Sequence, residues 1–266
     1  MRNVILTGIP RAGTTLAGAL IDDMPDTVCL NEPGWHNAKT ANTAEGFAQW
    51  VAGDFERLRM CLLHGEPIPD RRGASGEAVT NYYAVDASKH MVNTFEIAPF
   101  TRAGLTNNFT LAIKHNGPYL AVLPQLVDMQ RFTIIAIVRH PLEVLASWRR
   151  LSLPISRGQM PNATPFWSEM AEIVATEHDL LVRQVKMYDE MCRRIIALKD
   201  YIHILPYEKL VSEPQLLAEY IGTDANLTMS RVEKPTREIP DNEKKQILSA
   251  LAMHGKYYQA FYTLPQ

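Results

Sequence analysis

The stretch Ile5-Leu6-Thr7-Gly8-Ile9-Pro10-Arg11-Ala12-Gly13-Thr14-Thr15-Leu16 constrains this chain more than any other. An apolar run ends in a glycine, a second glycine follows five positions later, and two threonines open an amphipathic segment. Residues 3–7 (NVILT) read as a buried parallel strand. Residues 14–24 read as a helix. The strand–loop–helix context and the Gly-to-Gly spacing match the pattern G-x-x-x-x-G-K-[ST], whose backbone N–H groups cradle phosphate. Thr15 occupies the Ser/Thr position. Thr14 stands where the lysine belongs, and Arg11 has appeared inside the loop.

That exchange has a chemical meaning. In nucleotide hydrolases and kinases the lysine reaches the β- and γ-phosphates that a metal also bridges. A loop without it suits a donor whose phosphate leaves rather than one whose terminal phosphate is transferred, and implies no required metal. Gly8 and Gly13 allow close backbone approach. Arg11, Thr14 and Thr15 supply charge and hydroxyl donors, and the helix N-terminus faces the anion.

The rest of the chain repeats the strand–helix alternation. Residues 27–30, 110–114, 133–138 and 201–205 read as further strands. Residues 118–129, 141–151 and 166–198 read as helices, the last as one long helix or a broken one. Asn42 and Glu45 have capping-box spacing for a helix running to about residue 64. Residues 65–80 are rich in Gly, Pro and charge and read as a mobile loop, as does 152–165. Two short helices and a basic stretch, 231–237, complete the chain. Alternation of this kind indicates an α/β fold with a parallel sheet. In such sheets ligands bind beyond the carboxyl ends of the strands. The polar clusters lie at those ends: 8–15, 31–36, 114–118, 139–147 and 207–209.

The second cluster is Arg139-His140-Pro141 with Ser147 eight residues after the arginine. An arginine fork plus a serine hydroxyl makes a second phosphate site. Together the two motifs resemble those of the sulfotransferases that use 3′-phosphoadenosine 5′-phosphosulfate (PAPS). Pro10-Arg11-Ala12-Gly13-Thr14-Thr15 resembles their 5′-phosphosulfate loop, and Arg139 with Ser147 their 3′-phosphate motif. Ile113-Lys114-His115-Asn116 resembles the family's lysine-containing segment. Pro206-Tyr207-Glu208 resembles the stretch whose tyrosine lies near the adenine.

The resemblance implies a three-layer P-loop-type fold in one domain, 1–266. A central parallel sheet would be flanked by helices, with a helical and loop insertion over roughly 37–108 forming the acceptor side. It implies transfer of a sulfuryl group from PAPS to a hydroxyl or amine, with adenosine 3′,5′-bisphosphate as product. Arg11 and Lys114 are then the cations near the transferring group. Glu32, in Asn31-Glu32-Pro33, is the leading candidate base, usable if burial raises its pKa. His115 is the alternative, and His36 and Asp86 stand further off. Trp35, Trp50, Trp148 and Trp167 read as core residues before they read as adenine platforms. Arg149, Arg150 and Arg157 read equally as anion-steering groups or a solvated basic face. Arg231, Lys234 and Arg237 are candidates to close over the 3′-phosphate.

Two other readings stay open: a P-loop kinase acting on a small molecule, and a non-catalytic nucleotide-binding module. Formal net charge is −2, so no global basic field points to nucleic acid. Three scattered cysteines argue against a disulfide framework and fit a cytoplasmic protein. No apolar run has the ~20 residues of a membrane span. The acceptor, whether small molecule, carbohydrate or lipid, is not named by the sequence.

Overall fold

The computed structural model describes residues 2–33, 41–85, 91–227 and 238–264. Five strands form one parallel sheet in the order β2-β7-β1-β8-β9. They are β1 (Arg2–Gly8), β2 (Thr27–Asn31), β7 (Thr110–Lys114), β8 (Thr133–Val138) and β9 (His203–Pro206). The central three are apolar nearly throughout and buried on both faces, as crossover helices require. Helix α1 (Thr14–Asp22) packs on β1, β2 and β7 and meets α9 (Gln215–Ile221), which lies on β8. Helix α3 (Gly117–Ala121) packs on β1 and on α7 (Leu180–Ala197). Around α7 gather α5 (Pro141–Arg149), α6 (Ser168–Thr176) and α10 (Asp241–His254). The sheet is thus flanked by helices, as the sequence implied.

β1 sits at the centre, and the chain leaves it in both directions. The crevice beyond its carboxyl end is therefore the topological switch point where α/β sheets bind ligands. Gly8 makes that end possible. Its φ is +142°, and a Cβ there would lie 2.2 Å from the Ile137 carbonyl oxygen on β8. Both partners are backbone of adjacent strands, so neither can yield. Gly8→Ala should therefore lower stability by ~3 kcal/mol or more, beyond the ordinary spread of point mutations. Urea denaturation checks this: a midpoint shift no larger than that of a surface substitution would contradict it.

The insertion between β2 and β7 holds α2 (Ala44–Leu63) and two antiparallel ribbons, β3 (Ile68–Arg72) with β6 (Glu96–Phe100) and β4 (Tyr83–Val85) with β5 (Met91–Asn93). Two expectations are corrected here. The helix cap is Thr43, whose hydroxyl accepts from the Gly46 N–H at 3.0 Å, and not Asn42. Residues 65–80 are not wholly loop, because β3 lies within them. Its inward-facing residues are Ile68, Asp70 and Arg72. The period-2 pattern is present but carried by charges, which propensity does not recognise as a strand.

Those charges are paired. Arg72 Nη1 donates to Asp22 at 2.6 Å, its Nε to Asp70 at 2.7 Å, and its Nη2 to the Cys29 carbonyl at 3.1 Å. Arg102 adds a 2.7 Å bond to Asp22. The network fastens the inserted ribbon to α1 and β2. The long helical stretch of 166–198 divides into α6 and α7, with Asp179 capping α7 through the Val182 N–H. Beyond β9 the chain forms α9 and α10, where two short helices were expected; α10, at 14 residues, is not short.

Candidate active site

The loop after β1 turns through Arg11 at φ +72° and Gly13 at φ +98°. Gly13 is required for a second reason: a Cβ there would fall 2.4 Å from the Tyr207 ring. Thr14 and Thr15 then open α1, whose first-turn N–H groups have no intrahelical acceptors. Trp148 braces the loop from outside, its indole N–H donating to the Pro10 carbonyl at 2.8 Å. This gives one predicted core tryptophan a job at the site. Trp167 is buried and donates to Glu190 at 2.8 Å. Ala12 is fully buried beneath the loop.

Arg11 joins the loop after β1 to the motif after β8. Its Nε donates to Ser147 Oγ at 3.2 Å, and its Nη2 to Asn81 Oδ1 at 3.2 Å. Burial lowers the pKa of the guanidinium from its usual value; the Tyr83 hydroxyl opposes this and the nearby Arg139 charge adds to it. Such a site favours an anion. Arg139 leaves the end of β8 and stacks over the Tyr207 ring at 4.3 Å. Its Nε is buried with no hydrogen-bond partner among the described residues. Glu143, one turn along α5, lies 3.7 Å away at the rim. Tyr207 thus touches Gly13 on one side and Arg139 on the other. It starts a short helix, α8 (Tyr207–Ser212), and Glu208 beside it accepts from Tyr262 at 2.7 Å.

The ends of β2 and β7 carry the second half. Glu32 has φ +50°, and its N–H donates to the Lys114 carbonyl at 3.0 Å, extending the ladder by one residue. Lys114, 2% exposed, places Nζ 2.5 Å from Glu32 Oε1. The other carboxylate oxygen pairs with Arg71. The sequence expectation for Glu32 fails in one respect. Burial pushes its pKa up, but Lys114, His115 and Arg71 together outweigh it and hold the carboxyl at about 2. The ammonium of Lys114 also lies 4.4 Å from the centre of the Tyr82 ring. His115 lines the same cleft, its ring 5.7 Å from that of Tyr119.

All of this converges on one open cleft of about 2090 Å³. Pro10, Arg11, Gly13, Thr14, Thr15, Glu32, Lys114, His115, Arg139, Ser147 and Tyr207 line it. Trp35, His36, Asp86, Arg231, Lys234 and Arg237 lie outside the described residues. Arg149 and Arg150 both pair with Glu243 of α10, at 3.5 and 3.4 Å, and Arg150 reaches the cleft. Sequence reasoning missed Arg71, Asn81, Tyr82 and Tyr83. The alternation of Ile68-Pro69-Asp70-Arg71-Arg72 was the available signal for Arg71; nothing in the sequence singled out the other three.

The model of the Sulfotransferase family matches residues 3–231. The chain belongs to the Sulfotransferase family. Its general chemistry is therefore transfer of a sulfuryl group. Among solved structures, a sulfotransferase from Alicyclobacillus acidocaldarius is similar, with a TM-score of 0.46 and 11% identity. That match covers 98% of this chain and 95% of the other. No curated protein matches. Among the described residues of this sulfotransferase, no helix is long and apolar enough to cross a membrane. Nor do three His, Cys, Asp or Glu side chains gather there as metal ligands would.

Proposed function

We propose that this sulfotransferase takes the sulfuryl group from PAPS and delivers it to a hydroxyl or amine of a small-molecule, carbohydrate or lipid acceptor. The observation that carries the reading is the Arg11–Ser147 hydrogen bond, which ties the loop after β1 to the motif after β8 across one cleft. A donor with phosphate at both ends of one nucleoside needs two anion sites in one cleft, not one.

On this reading Arg11, Thr14, Thr15 and the α1 N–H groups hold the 5′ end, with Pro10, Ala12 and Gly13 shaping the loop. Arg139 and Ser147 hold the 3′-phosphate, and Tyr207 lies against the nucleoside between them. Lys114 and Arg11 oppose the charge on the sulfuryl oxygens as the acceptor attacks in line. The acceptor oxygen or nitrogen bonds to sulfur, the bond from sulfur to the 5′-phosphate oxygen breaks, and the acceptor proton passes to Glu32. A carboxyl held at about 2 is a weak base. Engagement of Lys114 with the sulfuryl group removes one of the cations that hold it there, so basicity rises when the donor is in place. His115, beside the pair, is the second candidate for the proton.

Thermal shift with adenosine 3′,5′-bisphosphate, ADP and ATP, each with and without magnesium, tests the donor. A ligand at 100 times its Kd stabilises the fold by ~2.7 kcal/mol. The expected outcome is the largest shift from the 3′,5′-bisphosphate, unchanged by magnesium. A larger shift from ATP that needs magnesium would overturn the reading in favour of a kinase.

A further inference from the structure

Three consecutive residues of β3 act on the end of β2. Asp70 accepts from the Asn31 N–H at 2.6 Å. Arg71 pairs with Glu32. Arg72 binds Asp22 and the Cys29 carbonyl. Asp70 and Arg72 are each only 1% exposed, so the frame on either side of Arg71 is fixed in the core. The Arg71 guanidinium lies 5.4 Å from the Tyr82 ring centre and 5.2 Å from that of Phe95. Its planar group thereby lies against a pair of touching aromatic rings, whose centres are 4.8 Å apart.

The two cations on Glu32 take different oxygens. Lys114 binds Oε1 and Arg71 binds Oε2. They also come from different parts of the molecule. Lys114 ends a strand of the sheet, where the donor half of the cleft lies, and Arg71 comes from the insertion. A carboxylate that is to accept a proton needs one oxygen free and the other held.

We propose that Arg71 is a positioning residue for sulfuryl transfer, holding Oε2 of Glu32 so that Oε1 faces the acceptor once Lys114 turns to the sulfuryl group. This rests on the reading of Glu32 as the base. Backbone geometry supports it. Glu32 sits at φ +50°, a conformation costly for a side-chain-bearing residue, and the bonds from Asn31 N–H to Asp70 and from Glu32 N–H to the Lys114 carbonyl keep it there. The groups facing the carboxylate are Lys114 and His115 from the end of β7, Arg71 from β3, and the hydroxyls of Tyr82 and Tyr83. Burial pushes both tyrosine hydroxyls up, so they stay protonated and neutral.

The test is a ¹³C NMR titration of the full-length protein labelled at glutamate carboxyls, with adenosine 3′,5′-bisphosphate bound. The Glu32 signal is assigned by its loss in Glu32→Gln. In Arg71→Gln its midpoint should rise by about one pH unit or more, tenfold in proton affinity. Arg71→Met, which keeps an apolar side chain against Tyr82 and Phe95, should show the same rise, and Arg71→Lys should largely restore the wild-type position. Affinity for the bisphosphate should be unchanged in all three, which also reports folding. A midpoint that Arg71→Gln and Arg71→Met both leave in place overturns the proposal. Should Glu32→Gln retain full turnover, the base reading fails instead, a result separate from the titration.

Discussion

Replacing Glu32 by glutamine should lower turnover by 10²- to 10⁴-fold, the usual contribution of a positioned base. Affinity for adenosine 3′,5′-bisphosphate should stay at the wild-type level, since the residues assigned to the phosphates lie on β1, α1, β8 and α5. The amide keeps the volume of the carboxylate but leaves Lys114 and Arg71 without their anion. Breaking a buried pair from one side costs about 3–5 kcal/mol. Glu32 retains 18% exposure, so the lower end applies. Assays therefore belong well below the variant's melting temperature.

The pH dependence has a definite sign. A base acts when ionised, so activity is lost as pH falls through its pKa. In the free protein that value is about 2, below the ordinary glutamate value of about 4.3. The stabilisation from the ionised pair is complete above the ordinary value and lost as pH falls towards 2. The profile of kcat/KM for the donor, which reports the free enzyme, should accordingly show no acid limb from Glu32 in the working range. The kcat profile, which reports the loaded enzyme, should show that limb at higher pH. Full turnover in the glutamine variant would remove Glu32 from the role and turn attention to His115.

Arg139→Ala should weaken adenosine 3′,5′-bisphosphate binding by 2–5 kcal/mol, the range for truncating one partner of a hydrogen-bonded charge pair. That is roughly thirtyfold to several thousandfold in Kd. The guanidinium already has a buried Nε without a partner and a ring beneath it, so its orientation is set before any ligand arrives. AMP, which lacks the 3′-phosphate, serves as control in calorimetry. It should bind the variant and the wild type alike. Equal loss for both ligands would mean that the substitution had disturbed the Tyr207 contact and the loop, and unchanged bisphosphate binding would remove Arg139 from the 3′ site.

The loop after β1 and the end of β8 were legible because backbone geometry writes them into residue types. A turn at positive φ packed against Tyr207 calls for glycine at 13, a strand end that touches backbone calls for glycine at 8, and an arginine closing a β-branched run marks the end of β8. The insertion was not legible, for a physical reason equally specific. Strand β3 buries an aspartate and an arginine where the pattern rules look for apolar side chains, and the arginine's partners Asp22 and Cys29 lie more than 40 residues away. No local window contains that pairing. The depressed pKa of Glu32 was hidden in the same way, because Arg71 and Lys114 reach it from 39 and 82 residues along the chain.

β2 and β7 are neighbours in the sheet, and everything between them in sequence leaves from one strand and returns on the next. A segment with adjacent ends can be exchanged without rethreading the core. It is tied down by the buried face of α2 (Phe47, Val51, Phe55 and Leu58), by Arg59 of α2 on the Arg2 and Phe109 carbonyls, by the ion network of Asp70, Arg72, Arg102 and Asp22, and by the Arg71–Glu32 pair. A graft that carries α2, residues 68–72 and 102 with it should therefore seat on the sheet while the remainder of the insertion is redrawn. On the proposed reading the sheet is a fixed donor platform and the insertion a replaceable selector, so new acceptors are to be sought by recombination there rather than by point changes around the phosphates.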